Sequence, residues 1–291
     1  MKTRIISGIV MGAIVIAVLV AGILVSPYFI TAFVAILAAI GAYELVGNAA
    51  GVKSKLAVIT SSIYSALMVG LLDKNLAEWA FLRYISSKCH GDFLDFVAAN
   101  WDKFPYMLTV LYFLIAVFII LKKHKEFTLA KIAVFAAMPL FLSYAFSILG
   151  SVINHKDGIY YLLLLFNFSS VCDMGAYFVG VTMGKHKLCP EISPKKTIEG
   201  AVGGVVSSII VGLILVFAFH HADKLLPTLI LTIPLCIVGM VGDLFASAIK
   251  RSVGLKDYGK LIPGHGGVLD RVDSILLIAP VLYIFIELGV I

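Results

Sequence analysis

The chain has 291 residues, of which 61% are hydrophobic and only 14% are charged, and its mean hydropathy is +1.04. A soluble domain carries roughly 45–50% apolar and about 25% charged residues, so the composition excludes a pair of soluble globular domains and indicates an integral membrane protein. The formal net charge is +6. Because the basic residues follow the membrane topology described below, this charge does not predict nucleic-acid binding.

The apolar runs predict an all-α, polytopic membrane protein with about nine transmembrane helices, since a span needs about 20 residues. The first run follows Lys2 and Arg4 but lacks the features of a cleaved signal peptide, so we expect a retained helix. Only Ser26 and Pro27 separate it from the second run, which predicts a tight helical hairpin. The predicted helices cover about 5–25, 28–46, 56–72, 105–121, 131–150, 160–183, 201–219, 226–248 and 274–291.

The distribution of Lys and Arg predicts the orientation in the membrane. With the N-terminus in the cytoplasm, 17 of the 23 basic residues fall on the inside, as the positive-inside rule requires. An odd number of spans then places the C-terminus outside and the loops at about 184–200 and 249–273 in the cytoplasm. The long loop at about 73–104 lies outside, and its Trp79 and Trp101 favour an interfacial helix over a binding site.

Two regions are distinguished: N-terminal helices over 1–150, and a C-terminal region over 151–291 that contains the loops at about 184–200 and 249–273. Ionisable residues inside apolar runs are the first functional candidates, because an unpaired charge in hydrocarbon costs at least about 2.5–3.5 kcal/mol. Glu44 lies near the inside end of the second run, where it either has a function or reaches the interface. Asp173 lies in the middle of the sixth run and is a candidate site residue.

The third such residue, Asp243, shares a helical stripe with Ser247 and Lys250. This stripe leads into the cationic loop at 249–273. The alternative is an Asp243–Lys250 pair within one helix that only reduces the cost of burial.

The loop at 184–200 contains a second polar cluster. Ser193, Lys195, Lys196 and Thr197 are predicted to form a turn, which Glu199 follows at the start of a glycine-rich helix. Helix N-termini attract phosphate through unpaired N–H groups. The alternative is an ordinary basic loop with a small-residue packing face behind it.

The stretch from Ser247 to Asp273 combines fixed cations, a His-Gly-Gly turn and paired carboxylates. Cations neutralise phosphate oxygens, glycines let backbone N–H groups approach an anion, and carboxylates bind a hard divalent ion. The residues concerned are Lys250, Arg251, Lys256, His265, Gly266, Gly267, Asp270, Arg271 and Asp273.

These 27 residues resemble the signature of the phosphatidate cytidylyltransferase (CDP-diacylglycerol synthase) family. The matching positions are Ser247-x-Ile249-Lys250-Arg251, Lys256-Asp257-x-Gly259, Ile262-Pro263-x-His265-Gly266-Gly267-Val268 and Asp270-Arg271-Val272-Asp273. Asp173 with Ala176, Tyr177 and Gly180, and the run from Ser193 to Gly200, are similar to the family's other characteristic segments. The resemblance covers about the C-terminal 130 residues.

The resemblance implies an enzyme of the cytoplasmic (inner) membrane, facing the cytoplasm, that joins CTP to phosphatidate to give CDP-diacylglycerol and pyrophosphate in phospholipid biosynthesis. It implies Mg²⁺ held by Asp243, Asp270 and Asp273, with K⁺ as an optional second cation. CTP and phosphatidate are the expected partners, together with the bilayer; a homodimer is left open.

The resemblance also implies roles within the site. Lys250, Arg251, Lys256 and Arg271 are expected to bind phosphate, and Lys195 and Lys196 form a second clamp. His265, Gly266 and Gly267 shape the pocket, although His265 is alternatively only structural. The remaining expected substrate contacts are Asp173, Ser193, Thr197, Glu199 and Ser247.

Two other functions compete with this interpretation. A CTP-dependent lipid kinase of the polyprenol type uses the same metal and cations but transfers the γ-phosphoryl group. A secondary transporter also buries carboxylates, yet it should show broken helices in both halves, whereas the polar residues here concentrate in one half.

Overall fold

The computed structural model describes residues 2–73 and 100–291, and within them helices dominate. Eight helical segments of this described part are long and apolar enough to cross a membrane, which confirms the predicted all-α polytopic architecture. The ninth predicted helix, at 274–291, is only the 13-residue helix Ile275–Glu287. At 1.5 Å per residue it is about 20 Å long, shorter than the hydrocarbon core of a bilayer. The predicted interfacial helix around Trp79 lies outside the described residues.

The long helices follow the apolar runs closely, and two short strands lie between them. They are α1 (Lys2–Leu24), α2 (Tyr28–Tyr43), α3 (Lys55–Leu72), α4 (Phe104–Lys122), α5 (Leu129–Ile153), α6 (Gly158–Phe166), α7 (Cys172–Met183), β1 (Lys187–Cys189), β2 (Ser193–Thr197), α8 (Ile198–Ala218), α9 (Leu225–Ser252), α10 (Leu269–Val272) and α11 (Ile275–Glu287).

Two π-helical segments interrupt the regular helices in the part of the chain that the structure describes. Glu44–Ala49 continues α2, and Asn167–Val171 joins α6 to α7. Single π-helical turns occur frequently at functional sites. The predicted second and sixth spans are both present, and their helical pitch changes at Glu44 and at Asn167.

The chain divides into two compact units. Unit 1 comprises Met1–Ser151 and Tyr258–Leu269, and unit 2 comprises Val152–Asp257 and Asp270–Ile291. The loop predicted at 249–273 therefore contributes to both units.

The core of unit 1 is aromatic. Tyr64 and Tyr112 stack with ring centroids 4.3 Å apart, and Phe135 meets Tyr112 edge-on at 5.9 Å. The Tyr112 hydroxyl donates a hydrogen bond to the Phe135 carbonyl, so the buried phenol is satisfied. These contacts hold α3, α4 and α5 together.

In unit 2, small residues allow α7 and α8 to approach closely. A Cβ atom added to Gly175 would lie 2.3 Å from Ser207 Oγ, and one added to Gly204 would lie 2.5 Å from the Cys172 carbonyl oxygen. Small residues at such contacts are typical of packing between membrane helices. The alternative that the sequence offered for the glycine-rich start of α8 included such a packing face.

The connection between α7 and α8 is an antiparallel hairpin of β1 and β2. The prediction of a turn at Ser193–Thr197 was wrong, because these residues pair with Lys187–Cys189 as a strand. Thr197 ends the strand and caps α8, its hydroxyl oxygen accepting a hydrogen bond from the Gly200 N–H at 3.1 Å. The hairpin fixes the backbone on both sides of Lys196.

Candidate active site

A cation lies between two carboxylates where α7, β2 and α9 meet in unit 2. Lys196 Nζ is 2.7 Å from Asp243 Oδ2 and 3.8 Å from Asp173 Oδ1. The ammonium nitrogen is buried, and its ion-pair contacts lack hydrogen-bond geometry. Its N–H donors therefore remain available to a further acceptor, such as a phosphate oxygen.

This ion-pair cluster borders a cavity of about 270 Å³. Side chains from the hairpin and α7 supply its polar wall, and Tyr177, Leu188 and Met240 add apolar surface. The lining includes six residues that the sequence predicted for the site: Asp173, Ser193, Lys195, Lys196, Thr197 and Asp243. A cavity with convergent polar groups on an otherwise apolar lining is typical of a ligand site.

A second cluster joins the end of α9 to α10. Lys250 Nζ lies 2.8 Å from Asp270 Oδ1 and 4.0 Å from Asp273 Oδ2. The side chains of Lys250 and Asp270 are 10% and 3% exposed. The Ser274 N–H donates to Asp273 Oδ1 at 2.9 Å, which orients that carboxylate.

Asp243 connects the two clusters. At its neighbour Gly242, an added Cβ would be 3.2 Å from the Asp273 carbonyl oxygen, so α9 runs against the backbone of Asp273. Burial, and then the negative charge of Asp243, raise the pKa of Asp273 to about 6, although the Ser274 N–H and Lys250 oppose the shift. The Asp273 carboxylate is consequently still mostly ionised at neutral pH.

The ion pairs of Asp243 and Lys250 differ from the Asp243–Lys250 pair within one helix that the sequence left open. Asp243 does not pair with Lys250 of its own helix but with Lys196 of β2, while Lys250 pairs with Asp270 and Asp273. Each carboxylate thus meets a cation from another element.

The donor chemistry suits a hard divalent cation, because Asp243, Asp270 and Asp273 offer carboxylate oxygens, the ligands that Mg²⁺ uses in proteins. Within residues 2–73 and 100–291, however, no three Asp, Glu, His or Cys side chains stand close enough together to hold an ion. Lys196 and Lys250 lie against these carboxylates instead. The predicted metal ligands therefore stay a prediction.

Several predicted residues do not line the cavity. Arg251 is exposed, and its Nη1 donates to the Leu255 carbonyl at 3.0 Å. Lys256 and Arg271 are also exposed, and Ser247 is half-buried one turn beyond Asp243.

Glu199 is engaged at the base of the hairpin. Its carboxylate accepts hydrogen bonds from the backbone N–H groups of Lys185 and His186 at 3.0 and 3.2 Å, and it lies 2.6 Å from His186 Nδ1. It thereby holds the start of the hairpin against the first turn of α8. His186 was not singled out in the sequence, where no motif marks it.

The His-Gly-Gly turn belongs to unit 1. His265 Nδ1 lies 2.8 Å from Ser7 Oγ of α1. Gly266 has φ +90°, which favours glycine, and its N–H donates to the Ile262 carbonyl at 3.1 Å. Gly267 packs against the Glu44 carboxylate. The described contacts of this turn are thus with its own backbone and with N-terminal residues.

Comparison with known proteins adds independent evidence. The sequence model of a family described as "Cytidylyltransferase family" matches residues 2–289. Proteins named phosphatidate cytidylyltransferase from Staphylococcus haemolyticus, Staphylococcus epidermidis and Staphylococcus aureus are 45%, 46% and 43% identical over 133, 134 and 133 residues. Each match covers 46% of this chain and 51% of the relative, so the chain spans about half the length of the curated relatives it matches.

Proposed function

Because the chain belongs to the cytidylyltransferase family, we propose that it transfers the cytidylyl group of CTP to phosphatidate, releasing pyrophosphate and forming CDP-diacylglycerol. The relatives named phosphatidate cytidylyltransferase support this choice of substrates. The structural observation that carries the proposal is Lys196, buried between Asp173 and Asp243 at the edge of a cavity.

The reaction needs positioning and charge stabilisation more than it needs a protein nucleophile. A phosphatidate oxygen, already ionised, attacks the α-phosphorus of CTP, and the bond from that phosphorus to the bridging oxygen of the β-phosphate breaks. Lys196 and Lys195 bind phosphate oxygens and stabilise the charge that develops on the leaving pyrophosphate. The hairpin pairs the backbone on either side of the two lysines, at Ser193 and at Thr197.

Asp243, Asp270 and Asp273 are the residues that would hold Mg²⁺, with K⁺ as an optional second cation. When bound, Mg²⁺ neutralises charge on the triphosphate oxygens. Lys250 stays beside Asp270 and Asp273 and balances the charge of this carboxylate group. The carboxylate oxygens of these three residues support this assignment.

The protein acts in the cytoplasmic membrane, with the loops at 184–200 and 249–273 on the cytoplasmic side. The distribution of basic residues supports this orientation. It also gives the cavity-lining hairpin access to CTP, which is a cytoplasmic nucleotide.

Labelled CTP distinguishes this reaction from phosphorylation. Purified protein is incubated with phosphatidate in mixed micelles, MgCl₂ and CTP labelled at either the α- or the γ-phosphorus. We expect α-label in the lipid fraction and γ-label in pyrophosphate, with neither in lipid when phosphatidate is omitted. A γ-label that enters phosphatidate or an added polyprenol would replace this proposal with a CTP-dependent lipid kinase.

A further inference from the structure

Glu44 is a buried carboxylate with two specific backbone partners. It is 2% exposed and begins the π-helical segment after α2. Its Oε1 accepts a hydrogen bond from the Val268 N–H, and its Oε2 accepts one from the Leu269 N–H, both at 3.0 Å. Both oxygens of one side chain therefore hold two consecutive amides that are more than 220 positions away in the sequence.

Two glycines make room for this carboxylate. A Cβ atom added to Gly259 or to Gly267 would lie 2.4 Å from Glu44 Oε1, a distance that real Cβ contacts essentially never show. Any other residue at these positions would displace the Glu44 carboxylate or the backbone. The glycines are thus matched to Glu44 and not only to the turn in which they lie.

Other N-terminal residues hold the same segment. Asn48, one turn beyond Glu44, donates from Nδ2 to the Tyr258 carbonyl at 2.8 Å. Ser7 donates from Oγ to the Pro263 carbonyl at 2.9 Å. All of these contacts lie inside unit 1, so the segment Tyr258–Leu269 is fixed at its start, middle and end by helices that carry no recognisable motif.

We propose that Glu44, assisted by Asn48, is a positioning residue for the transfer reaction. Glu44 fixes the backbone of Leu269, the first residue of α10, and the next residue of that helix is Asp270. This inference rests on the proposed function, because Asp270 matters to catalysis only if the chain is the transferase. It assigns a positioning role to Glu44, for which the sequence left open a function or contact with the membrane interface.

Replacement by glutamine is the sharpest perturbation, because it keeps the size and shape of the side chain. A carboxylate offers two acceptors, whereas an amide offers one acceptor and turns N–H donors towards an N–H group. In Glu44→Gln, the side-chain NH₂ group would therefore face one of the two backbone N–H groups. Both are donors, so that hydrogen bond is lost. Glu126→Gln is the matched control, since Glu126 lies in the same unit in an exposed pair with Lys123.

The first readout is amide hydrogen exchange, which is independent of the reaction. The full-length protein in detergent micelles is compared as wild type, Glu44→Gln, Asn48→Ala and Glu126→Gln. Losing a hydrogen bond to a charged acceptor weakens local protection, so we expect exchange of the Tyr258–Leu269 amides to be about tenfold faster or more in Glu44→Gln. The Glu126→Gln protein should exchange like the wild type.

The second readout is steady-state kinetics. We expect Glu44→Gln to lower kcat about tenfold or more, since misplacing a catalytic group by about 1 Å can cost 10²-fold. The KM for CTP should change less than about twofold, because Lys195 and Lys196 are untouched. A purely structural defect would instead reduce the amount of folded protein while leaving kcat per folded molecule unchanged.

A double-mutant cycle tests the match between Glu44 and Gly259. Gly259→Ala alone should accelerate exchange because its Cβ displaces the carboxylate, and Gly259→Ala combined with Glu44→Ala should be no worse than Glu44→Ala alone. Strictly additive effects would show that the glycine serves something else. If Glu44→Gln does not fold, this double-mutant cycle and the Asn48→Ala variant test the proposal in its place.

The outcomes separate this inference from the proposed function. Faster exchange with unchanged kcat would overturn the positioning role, and unchanged exchange in a folded Glu44→Gln protein would show that Glu44 does not hold the segment Tyr258–Leu269. If the wild-type protein forms no CDP-diacylglycerol, the proposed function and the positioning role fail together, while the exchange data still show whether Glu44 holds this segment.

Discussion

Removing the buried cation at Lys250 should destabilise the protein strongly. Its Nζ lies 2.8 Å from Asp270 Oδ1, and the two side chains are only 10% and 3% exposed. Lys250→Met keeps the apolar stem but leaves the Asp270 carboxylate buried without its cation. Breaking a buried pair in this way costs about 3–5 kcal/mol, which is between about a hundred and a few thousand fold in the folding equilibrium.

Two further variants isolate the electrostatic origin of this loss. Lys123→Met removes a cation from an exposed pair, 3.5 Å apart with both side chains 41% exposed, and should cost only about 0–1 kcal/mol. Lys250→Met combined with Asp270→Asn removes both charges and should regain most of the stability. Unfolding in detergent micelles, followed by circular dichroism against denaturant, measures all of them. A Lys250→Met protein within about 1 kcal/mol of wild type, or a double variant less stable than the single one, would refute the argument.

The other predictions concern the metal and the topology. Asp243→Asn should lower turnover by about 100-fold or more with Mg²⁺ present. Asp223 is exposed, and the control variant Asp223→Asn should keep a turnover near that of the wild type. Near-normal turnover in Asp243→Asn would refute the metal assignment. In a cysteine-free background, single cysteines at Ser193 and Val253 should resist a membrane-impermeant thiol reagent added outside intact cells, whereas one at Asn100 should react. Labelling at Val253 would reverse the topology and remove the access route for CTP.

The positions of the long helices were predictable from hydropathy. The third span was predicted at 56–72 and is Lys55–Leu72, and the fourth was predicted at 105–121 and is Phe104–Lys122. An apolar run that ends in charged or helix-capping residues leaves few alternatives, because lipid demands that backbone groups pair within the segment. The π-helical segments were not predicted, since one extra residue in a turn changes the hydropathy of neither α2 nor α6.

The hairpin was missed for a related reason. Ser193–Thr197 is short, polar and contains Pro194, a composition that predicts a turn as readily as an edge strand. Its pairing with Lys187–Cys189 depends on a register that no periodicity in five residues can establish. The consequence for the site is large, because the strand aims Lys196 at Asp243.

Candidate site residues could be named from the sequence, but their ion-pair partners could not. Asp243 and Lys250 lie on one stripe of α9, which told us that they share a face and nothing about the elements opposite that face. The structure shows β2 opposite Asp243 and α10 opposite Lys250. Spacing along one helix therefore left an internal Asp243–Lys250 pair open, whereas each of these two residues pairs with a residue of another element.

Glu44 shows how an energetic anomaly can point to a function before its partner is known. A carboxylate in an apolar run must either reach water or find compensating donors, since its isolated burial costs at least several kcal/mol. Because Glu44 is 2% exposed, the first solution is excluded, and the backbone N–H groups of Val268 and Leu269 are compensating donors of the second kind. Backbone N–H groups compensate a buried charge only when they point at it, so the geometry that stabilises the Glu44 carboxylate also holds the backbone of the segment before Asp270. The hydrogen bonds that compensate for the burial of Glu44 are therefore the same ones that hold the segment before Asp270. A substitution that removes the buried charge also weakens the hold on this segment.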